Sequence, residues 1–271
     1  MTVIAPADRT SLGIALGEEA DHAHRWPGLL APDTAPLRII LLPDSAAMAA
    51  TFAGRAPGWG VGLAFPNSRT IVLRADQPDP AGTLRHELAH LALHNAVRSR
   101  VPLWFDEGYA SWAGGEWERI ELLHLGVTLV GIQPPDLRRL DAMLRGSERT
   151  ADVAYARATS AVLELARRNP AGTLDALVAE LERGTEFDSA VLRTTGLTLD
   201  RFEVSWQQAV RSRYNVLTWL LAGGFWGLAA GVVVLAMYLR RRADRPRRAA
   251  LDEGWVIPPE GDPVDPVEPS R

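Results

Sequence analysis

The chemistry in this chain is concentrated between Thr83 and Gly115, where His86-Glu87-Leu88-Ala89-His90 places two imidazoles four residues apart. On a helix that spacing puts both on one face, so the rings converge on a point. Glu87, one step round, reaches a water held at that point but is not placed as a ligand. Two neutral nitrogens, an open coordination position and a carboxylate to take a proton are what Zn2+-assisted hydrolysis needs. A third ligand is required, and the next carboxylates are Asp106 and Glu107 in Trp104-Phe105-Asp106-Glu107-Gly108-Tyr109-Ala110. The pattern predicts a helix ending near Val97, a turn over Arg98 to Pro102, and a second helix from Leu103. Packed back on the first, the second helix can bring Glu107 to the metal.

The segment Trp-Phe-Asp-Glu-Gly-Tyr-Ala at this distance from the His-Glu-x-x-His motif resembles the gluzincins, zinc peptidases whose third ligand is a glutamate. The nearest resemblance is to the peptidase MA-like group, with aminopeptidase N-type and thermolysin-like enzymes more distant. In these families the glutamate before the glycine of Trp-x-x-Glu-Gly-x-Ala is the ligand, which corresponds to Glu107. The implied ligand set is His86, His90 and Glu107, with Glu87 as catalytic base and Asp106 as a supporting or capping group. Ser111 lies one turn after Glu107, where thermolysin-like relatives place a carboxylate that orients a zinc histidine. A serine there either bonds more weakly or is an ordinary helix residue. The resemblance also implies a tyrosine that donates to the oxyanion, on a helix well past the third ligand. Tyr155 in Ala154-Tyr155-Ala156-Arg157 stands at a suitable separation, with packing in the helical core as its other reading. Tyr109 is its rival, although a place in the Glu-Gly-Tyr-Ala helix suits packing.

The implied fold is α+β: a small zincin-type sheet, then a mostly helical subdomain carrying the motif. Leu37 to Leu42 reads as a buried strand and Ser45 to Phe52 as a short helix. Gly58 to Phe65 and Thr70 to Leu73 read as a hairpin joined at Pro66-Asn67-Ser68. Asp79-Pro80 marks the start of the motif helix. In such enzymes an edge strand holds extended substrate by its backbone; Gly60 to Phe65 is the candidate, with a merely structural strand as the alternative. That stretch lacks the Gly-x-Met-x-Asn segment by which aminopeptidase N-type enzymes read a free amino terminus, which favours an endopeptidase. Later stripes, Leu174, Leu177, Val178 and Leu181 closed by Gly184, then Leu199, Phe202, Trp206 and Val210, read as core-facing helices.

With 271 residues, 47% hydrophobic and 23% charged, the chain suffices for one packed domain and appendages. A net charge of −4 without a basic face opposes nucleic-acid binding. Cysteine is absent, which removes disulfides and thiolate metal sites. Residues 1–33 read as an irregular segment in which His22 and His24 lie in a solvated loop; Met1 to Gly17 lacks the basic start and apolar run of a signal peptide. Residues 34–214 form the expected metallopeptidase domain, acting on a peptide or protein substrate.

Val216 to Leu239 is free of charge over 24 residues, enough to cross about 30 Å of hydrocarbon as a C-terminal transmembrane helix. Trp219 and Tyr238 sit near its ends, as interfacial aromatics do. Gly223, Gly227 and Gly231 recur every fourth residue, a smooth strip suited to self-association. Arg240, Arg241, Arg242, Arg245, Arg247 and Arg248 outnumber Arg211 and Arg213 on the other flank. That bias makes the tail cytoplasmic and the catalytic domain extracytoplasmic; a tail-anchored protein with a cytoplasmic domain is the alternative, given the missing signal peptide. Residues 240–271, basic and then acidic and proline-rich, read as a disordered tail. Arg85, His94 and Arg98 make the motif helix too polar for an intramembrane protease. The rival function is a non-catalytic, zinc-braced, membrane-anchored binding module, for which the base Glu87 has no use.

Overall fold

Ile39 and Leu41 alternate with more accessible neighbours along β2 (Arg38–Leu42), whereas Thr70 to Leu73 of β4 (Thr70–Arg74) are buried without a break. Such a pair belongs at the middle of a sheet, and the computed structural model places it there in the order β1-β2-β4-β3. The structure describes residues 1–22, 24–30, 35–53, 60–116, 134–219 and 225–253. Strand β1 (Thr2–Ile4) pairs parallel with β2, and β2 parallel with β4. Strand β3 (Gly62–Phe65) pairs antiparallel with β4 through the turn Pro66–Ser68, with Gly62 opposite Leu73, and forms the sheet edge nearest the histidines.

Helices α1 (Thr10–Asp21) and α3 (Pro80–Ala96) pack on the sheet through Leu16, Leu84 and Leu91, against Ile39, Leu41, Ile71 and Leu73. The short α2 (Ser45–Phe52) is capped by Asp44, whose carboxylate accepts from Ala47 N. A second, larger core is built mainly from helices, with Trp26 packed into it. It joins Ala89, Ala92 and Leu93 of α3 to α4 (Leu103–Ala113), α5 (Leu137–Leu144), α6 (Glu148–Arg168), α7 (Asp175–Glu182), α8 (Phe187–Thr195) and α9 (Leu199–Trp219). Trp104 stacks on Phe202 at 6.2 Å and meets Phe187 edge-on at 5.8 Å, so the start of α4 is wedged between α8 and α9. Helix α3 is thus buried on two sides, between sheet and helices.

The first 33 residues differ from the irregular segment expected. Strand β1 extends the sheet and α1 covers it. The buried positions of α1 are Gly13, Leu16 and Gly17, and a Cβ on Gly13 would lie 3.0 Å from Ala5 Cβ. Close approach of small residues buries this helix without the apolar stripe that would reveal it.

The chain divides into two compact units, Met1–Asn215 and Val216–Arg271. In the second unit α10 (Phe225–Glu253) runs through the arginines. Residues 240–253, expected to be part of a disordered tail, are therefore helical; Ala, Leu and Arg in this stretch are good helix formers. Among the described residues no helix is long and apolar enough to cross a membrane. Gly223 lies outside the described residues, as do 254–271; Gly227 and Gly231 lie on α10.

Candidate active site

Two turns fix the site. Asp79 caps α3, its carboxylate accepting from Gly82 N at 2.8 Å, with Pro80 in the first turn where no N–H is needed. The helix ends at Ala96, and the connection is pinned where Arg98 N donates to Leu181 O at 3.1 Å and Ser99 Oγ to Thr185 O at 2.6 Å. Helix α4 then starts at Leu103, and Trp104 N donates to Asp141 Oδ1 of α5 at 2.7 Å, satisfying one of the N–H groups a helix start leaves open. Along α4, Gly108 faces α6 so closely that a Cβ would lie 2.5 Å from Ala158 O. That contact presses α4 against α6.

The result is a convergence of three donor atoms. His86 Nε2 and His90 Nε2 lie 3.1 Å apart, and each is 3.4 Å from Glu107 Oε2. These residues form a group that could hold a metal ion. Each imidazole also has a carboxylate behind it. Asp106 Oδ1 sits 2.7 Å from His90 Nδ1, and its Oδ2 sits 2.7 Å from His94 Nε2. Glu116 Oε2 lies 3.6 Å from His86 Nδ1. His90, His94 and Asp106 satisfy the spacing of a second metal group, but both oxygens of Asp106 are already engaged by ring nitrogens. That grouping reads as a brace on His90.

Glu116 escaped the reading of the sequence. It follows Gly114-Gly115 at the end of α4, and Gly115, at φ +80°, turns the chain so that Glu116 N bonds Ser111 O at 3.1 Å. Arg85 holds the same turn, donating from Nε to Gly114 O at 3.2 Å and from Nη1 to Glu19 Oε1 at 3.1 Å. An acidic residue directly after a glycine pair that closes the ligand helix was the available signal. Ser111, by contrast, is fully buried, and its Oγ has no hydrogen-bond partner among the described residues. The Tyr155 ring lies 6.2 Å from that of His86, on the face of α6 that looks into the site. The hydroxyl of Tyr109 instead donates to Pro27 O at 2.9 Å, away from the histidines. His24 stacks on Trp26 and its Nε2 lies 3.0 Å from Glu19 O, far from any role with His86.

The electrostatics of the cluster follow from burial set against pairing. Burial alone would strip His86 of its proton, yet Glu107 and Glu116 override it and raise its pKa to about 9. His90 is likewise raised, Asp106 and Glu107 outweighing its burial. Burial opposes ionisation of Glu107, but His90 and His86 hold its carboxyl down at about 2. Asp106 is held below the usual carboxylate range, its burial overcome by His90 and His94. These groups create a strongly negative pocket that stabilises cations, proton or metal. Glu87 behaves differently. Its burial dominates the neighbouring charges and lifts its pKa above the usual carboxylate value. A raised carboxylate beside a metal group is suited to accept and return protons near neutrality. Tyr155 is pushed up by burial and by the facing Glu107, so its hydroxyl keeps its proton and can donate it in a hydrogen bond.

Strand β3 closes the other side. A Cβ on Gly62 would fall 2.5 Å from Glu87 Oε1 and 2.7 Å from Thr83 Cγ2, so glycine is what lets Glu87 occupy its position. Beside it opens a cavity of about 270 Å³, lined by Gly60 to Gly62, Gln77, Asp79, Thr83, His86, Glu87, Glu116, Asp152 and Tyr155 among others.

A sequence model of the peptidase MA superfamily matches residues 31–212, from just before β2 into α9. The chain belongs to the peptidase MA superfamily. Peptidases of this superfamily are typically metal-dependent, and within the matched span His86, His90 and Glu107 form one of the two described groups that could hold a metal ion. The match takes in both helices of the site and the strands β2 to β4, and leaves out β1, α1 and the second unit. A comparison with curated proteins finds no match.

Proposed function

We propose that this peptidase MA chain is a zinc-dependent endopeptidase, anchored to a membrane through residues 216–239. One observation carries the reading: the triangle of His86 Nε2, His90 Nε2 and Glu107 Oε2, with edges of 3.1, 3.4 and 3.4 Å. A tetrahedral zinc with bonds of about 2.0–2.1 Å needs donor atoms roughly 3.3 Å apart. With Asp106 accepting the Nδ1 proton of His90, the Nε2 lone pairs and a carboxylate oxygen point at one another, which a bound cation makes favourable. When bound, zinc supplies a Lewis acid that acidifies a water and polarises the scissile carbonyl. Glu87 takes the proton of the attacking water and delivers it to the leaving amine. The Tyr155 hydroxyl donates to the oxyanion. Asp106 and Glu116 hold the imidazoles in orientation. The open edge of β3 pairs with an extended substrate, and the lack of an amino-terminus-reading segment there supports internal cleavage.

The anchor rests on the composition of the 216–239 stretch and on its described helical part. On α10, Trp226, Leu228, Val232 to Leu235 and Met237 to Leu239 are all exposed, immediately ahead of Arg240 to Arg242. A continuous apolar surface of this kind favours lipid, and the arginine bias favours a cytoplasmic tail with the catalytic unit on the other side. Gly227 and Gly231, four residues apart on α10, offer a strip for self-association.

The test uses the full chain, its Glu87→Gln and its His90→Ala forms, with metal content and casein or peptide-library cleavage as readouts. One zinc in both wild type and Glu87→Gln, with cleavage reduced roughly 10²–10⁴-fold in the latter, is expected for loss of a general base. His90→Ala loses both metal and cleavage. Zinc in each without cleavage by wild type would point to a bracing module; full activity in Glu87→Gln would overturn the mechanism.

A further inference from the structure

The cavity beside the metal group carries more charge than the reaction uses. Its lining includes the carboxylates Asp79, Glu87, Glu116 and Asp152, and no arginine is among the described residues lining it. A divalent ion at the ligand group balances Glu107 and Glu87, and Asp79 is engaged in capping α3. Asp152 then leaves the cavity negative. Asp152 stands at the solvent side of the cavity, three residues before Tyr155 and so on the same face of α6.

A second, independent feature marks this as a place for a ligand. Gln77 is nine-tenths buried at the cavity wall, and its Oε1 accepts from Thr83 Oγ1 at 2.6 Å while its Nε2 has no partner among the described residues. Turning the carboxamide over would move the deficit to the oxygen without removing it, since Thr83 can also donate to Asp79 O at 3.1 Å. Burying an amide pole unpaired is costly, and the cost is relieved when a peptide backbone group arrives. The cavity, at about 270 Å³, falls just under the roughly 300–1,000 Å³ of small-molecule pockets; one long side chain and its backbone fit that scale.

We propose that this cavity is the subsite that selects a cationic side chain, lysine or arginine, beside the scissile bond, with Asp152 as the specificity-determining carboxylate and Gln77 holding the adjacent backbone. The proposal rests on the peptidase reading above. Asp152 acts through charge at long reach, Gln77 through one hydrogen bond indifferent to the side chain. The two therefore separate experimentally: one changes the ranking of substrates, the other changes all substrates alike.

The test takes full-length wild type, Asp152→Asn, Asp152→Arg and Gln77→Met, each loaded with zinc. The probes are internally quenched peptides carrying Lys, Arg, Leu or Glu at each position around one site, with free or acetylated amino termini. Wild type is expected to cleave the Lys and Arg peptides about tenfold faster in kcat/KM than the Leu peptide, the size of one well-placed charge contact, and less so at high salt. Asp152→Asn should bring that ratio to within about twofold, and Asp152→Arg should turn it toward Glu, with zinc content unchanged. Gln77→Met should raise KM for every peptide alike and leave the ratio intact. Equal cleavage of basic and neutral peptides by wild type overturns the proposal. So does a preference that survives in Asp152→Arg, or one that follows a free amino terminus instead of the side chain. If wild type cleaves nothing, the peptidase reading fails by itself. Anisotropy of the same peptides on the Glu87→Gln form then decides the subsite: Lys and Arg peptides bound more tightly than Leu, and equally once Asp152→Arg is added, uphold it; no discrimination overturns it.

Discussion

The two walls of the cleft are built on opposite principles. On the α4 wall the packing leaves little slack. Phe105 and Tyr109 are buried to the last few percent, Gly108 lies against the backbone of α6, and Asp106 is held by two imidazoles. On the β3 wall the sheet ends among the described residues. Gly62 gives Glu87 its space, Gln77 keeps an amide pole unpaired among the described residues, and the cavity opens. A metal needs three donors fixed within tenths of an ångström, which dense packing supplies. A substrate strand needs backbone and polar groups left unsatisfied until it binds. The fold separates these demands by placing α3 between them.

Substituting one glycine on each wall tests that separation most severely. In Gly62→Ala the new Cβ would meet Glu87 Oε1 at 2.5 Å, so the base or the strand must move. A misplacement of about 1 Å lowers turnover roughly 10²-fold, with metal content unchanged. In Gly108→Ala the obstruction is the backbone of Ala158, again at 2.5 Å. Overpacking of that kind costs about 1–3 kcal/mol, read as a lower denaturation midpoint. If Gly62→Ala lost its metal, or Gly108→Ala kept full stability, the two walls would not differ as described.

Within the α4 wall the two carboxylates behind the imidazoles differ by distance. Asp106 meets His90 Nδ1 at 2.7 Å, while Glu116 stands 3.6 Å from His86 Nδ1. Removing a partner of the first kind costs about 10–100-fold in metal affinity. Asp106→Asn should fall in that range and Glu116→Gln below it, measured by competition with a chelator. The reverse order would make Glu116 the principal brace.

The metal-free protein should also show an inverted pH response. His86 has a folded pKa near 9 against an ordinary 6.5, so its contribution is complete below 6.5 and lost as pH rises through 9. Glu107, held at about 2 against 4.5, contributes above 4.5 and loses that contribution as pH falls through 2. Without metal, stability should therefore peak between about 4.5 and 6.5 and decline toward 9. Zinc requires neutral imidazoles and binds better as they deprotonate. Thermal denaturation across pH 6 to 9 with chelator, then with zinc, should give slopes of opposite sign. A flat profile with chelator would mean that His86 is not paired in the empty site.

Much of this was legible from local pattern. The turn between Val97 and Leu103, the helix Ser45–Phe52 and the cap at Asp79 follow from residues that act within one turn. Helical spacing aligns His86 with His90, and the following helix carries Glu107 to them. What stayed hidden depends on distant partners. Helix α3 shows no single apolar stripe because Leu84 and Leu91 face the sheet while Ala89 and Leu93 face the helices. Strand β1 spans three residues and α1 buries glycines, so neither has a strong period. Glu116 reaches His86 around a glycine turn, and His94 reaches Asp106 from another helix. Both contacts join residues of different elements, which periodicity within one element does not register.

Ser111 offers the smallest and most discriminating effect. It occupies the position one turn after Glu107 where thermolysin-like enzymes carry an orienting carboxylate. Here its Oγ is fully buried and without a hydrogen-bond partner among the described residues. A buried hydroxyl with no partner keeps its desolvation cost and gains nothing for it. Ser111→Ala should therefore leave the denaturation midpoint unchanged or slightly raised, within about 0.5–1 kcal/mol, and metal affinity within about twofold. Ser111→Asp would bury a third carboxylate beside Asp106 and Glu107 and should destabilise the metal-free protein. A tenfold loss of metal affinity in Ser111→Ala would return the orienting role to Ser111. Wild-type affinity there, beside a weakened Asp106→Asn, would mean that the support of the histidines has moved from one position on the ligand helix to the residues flanking it.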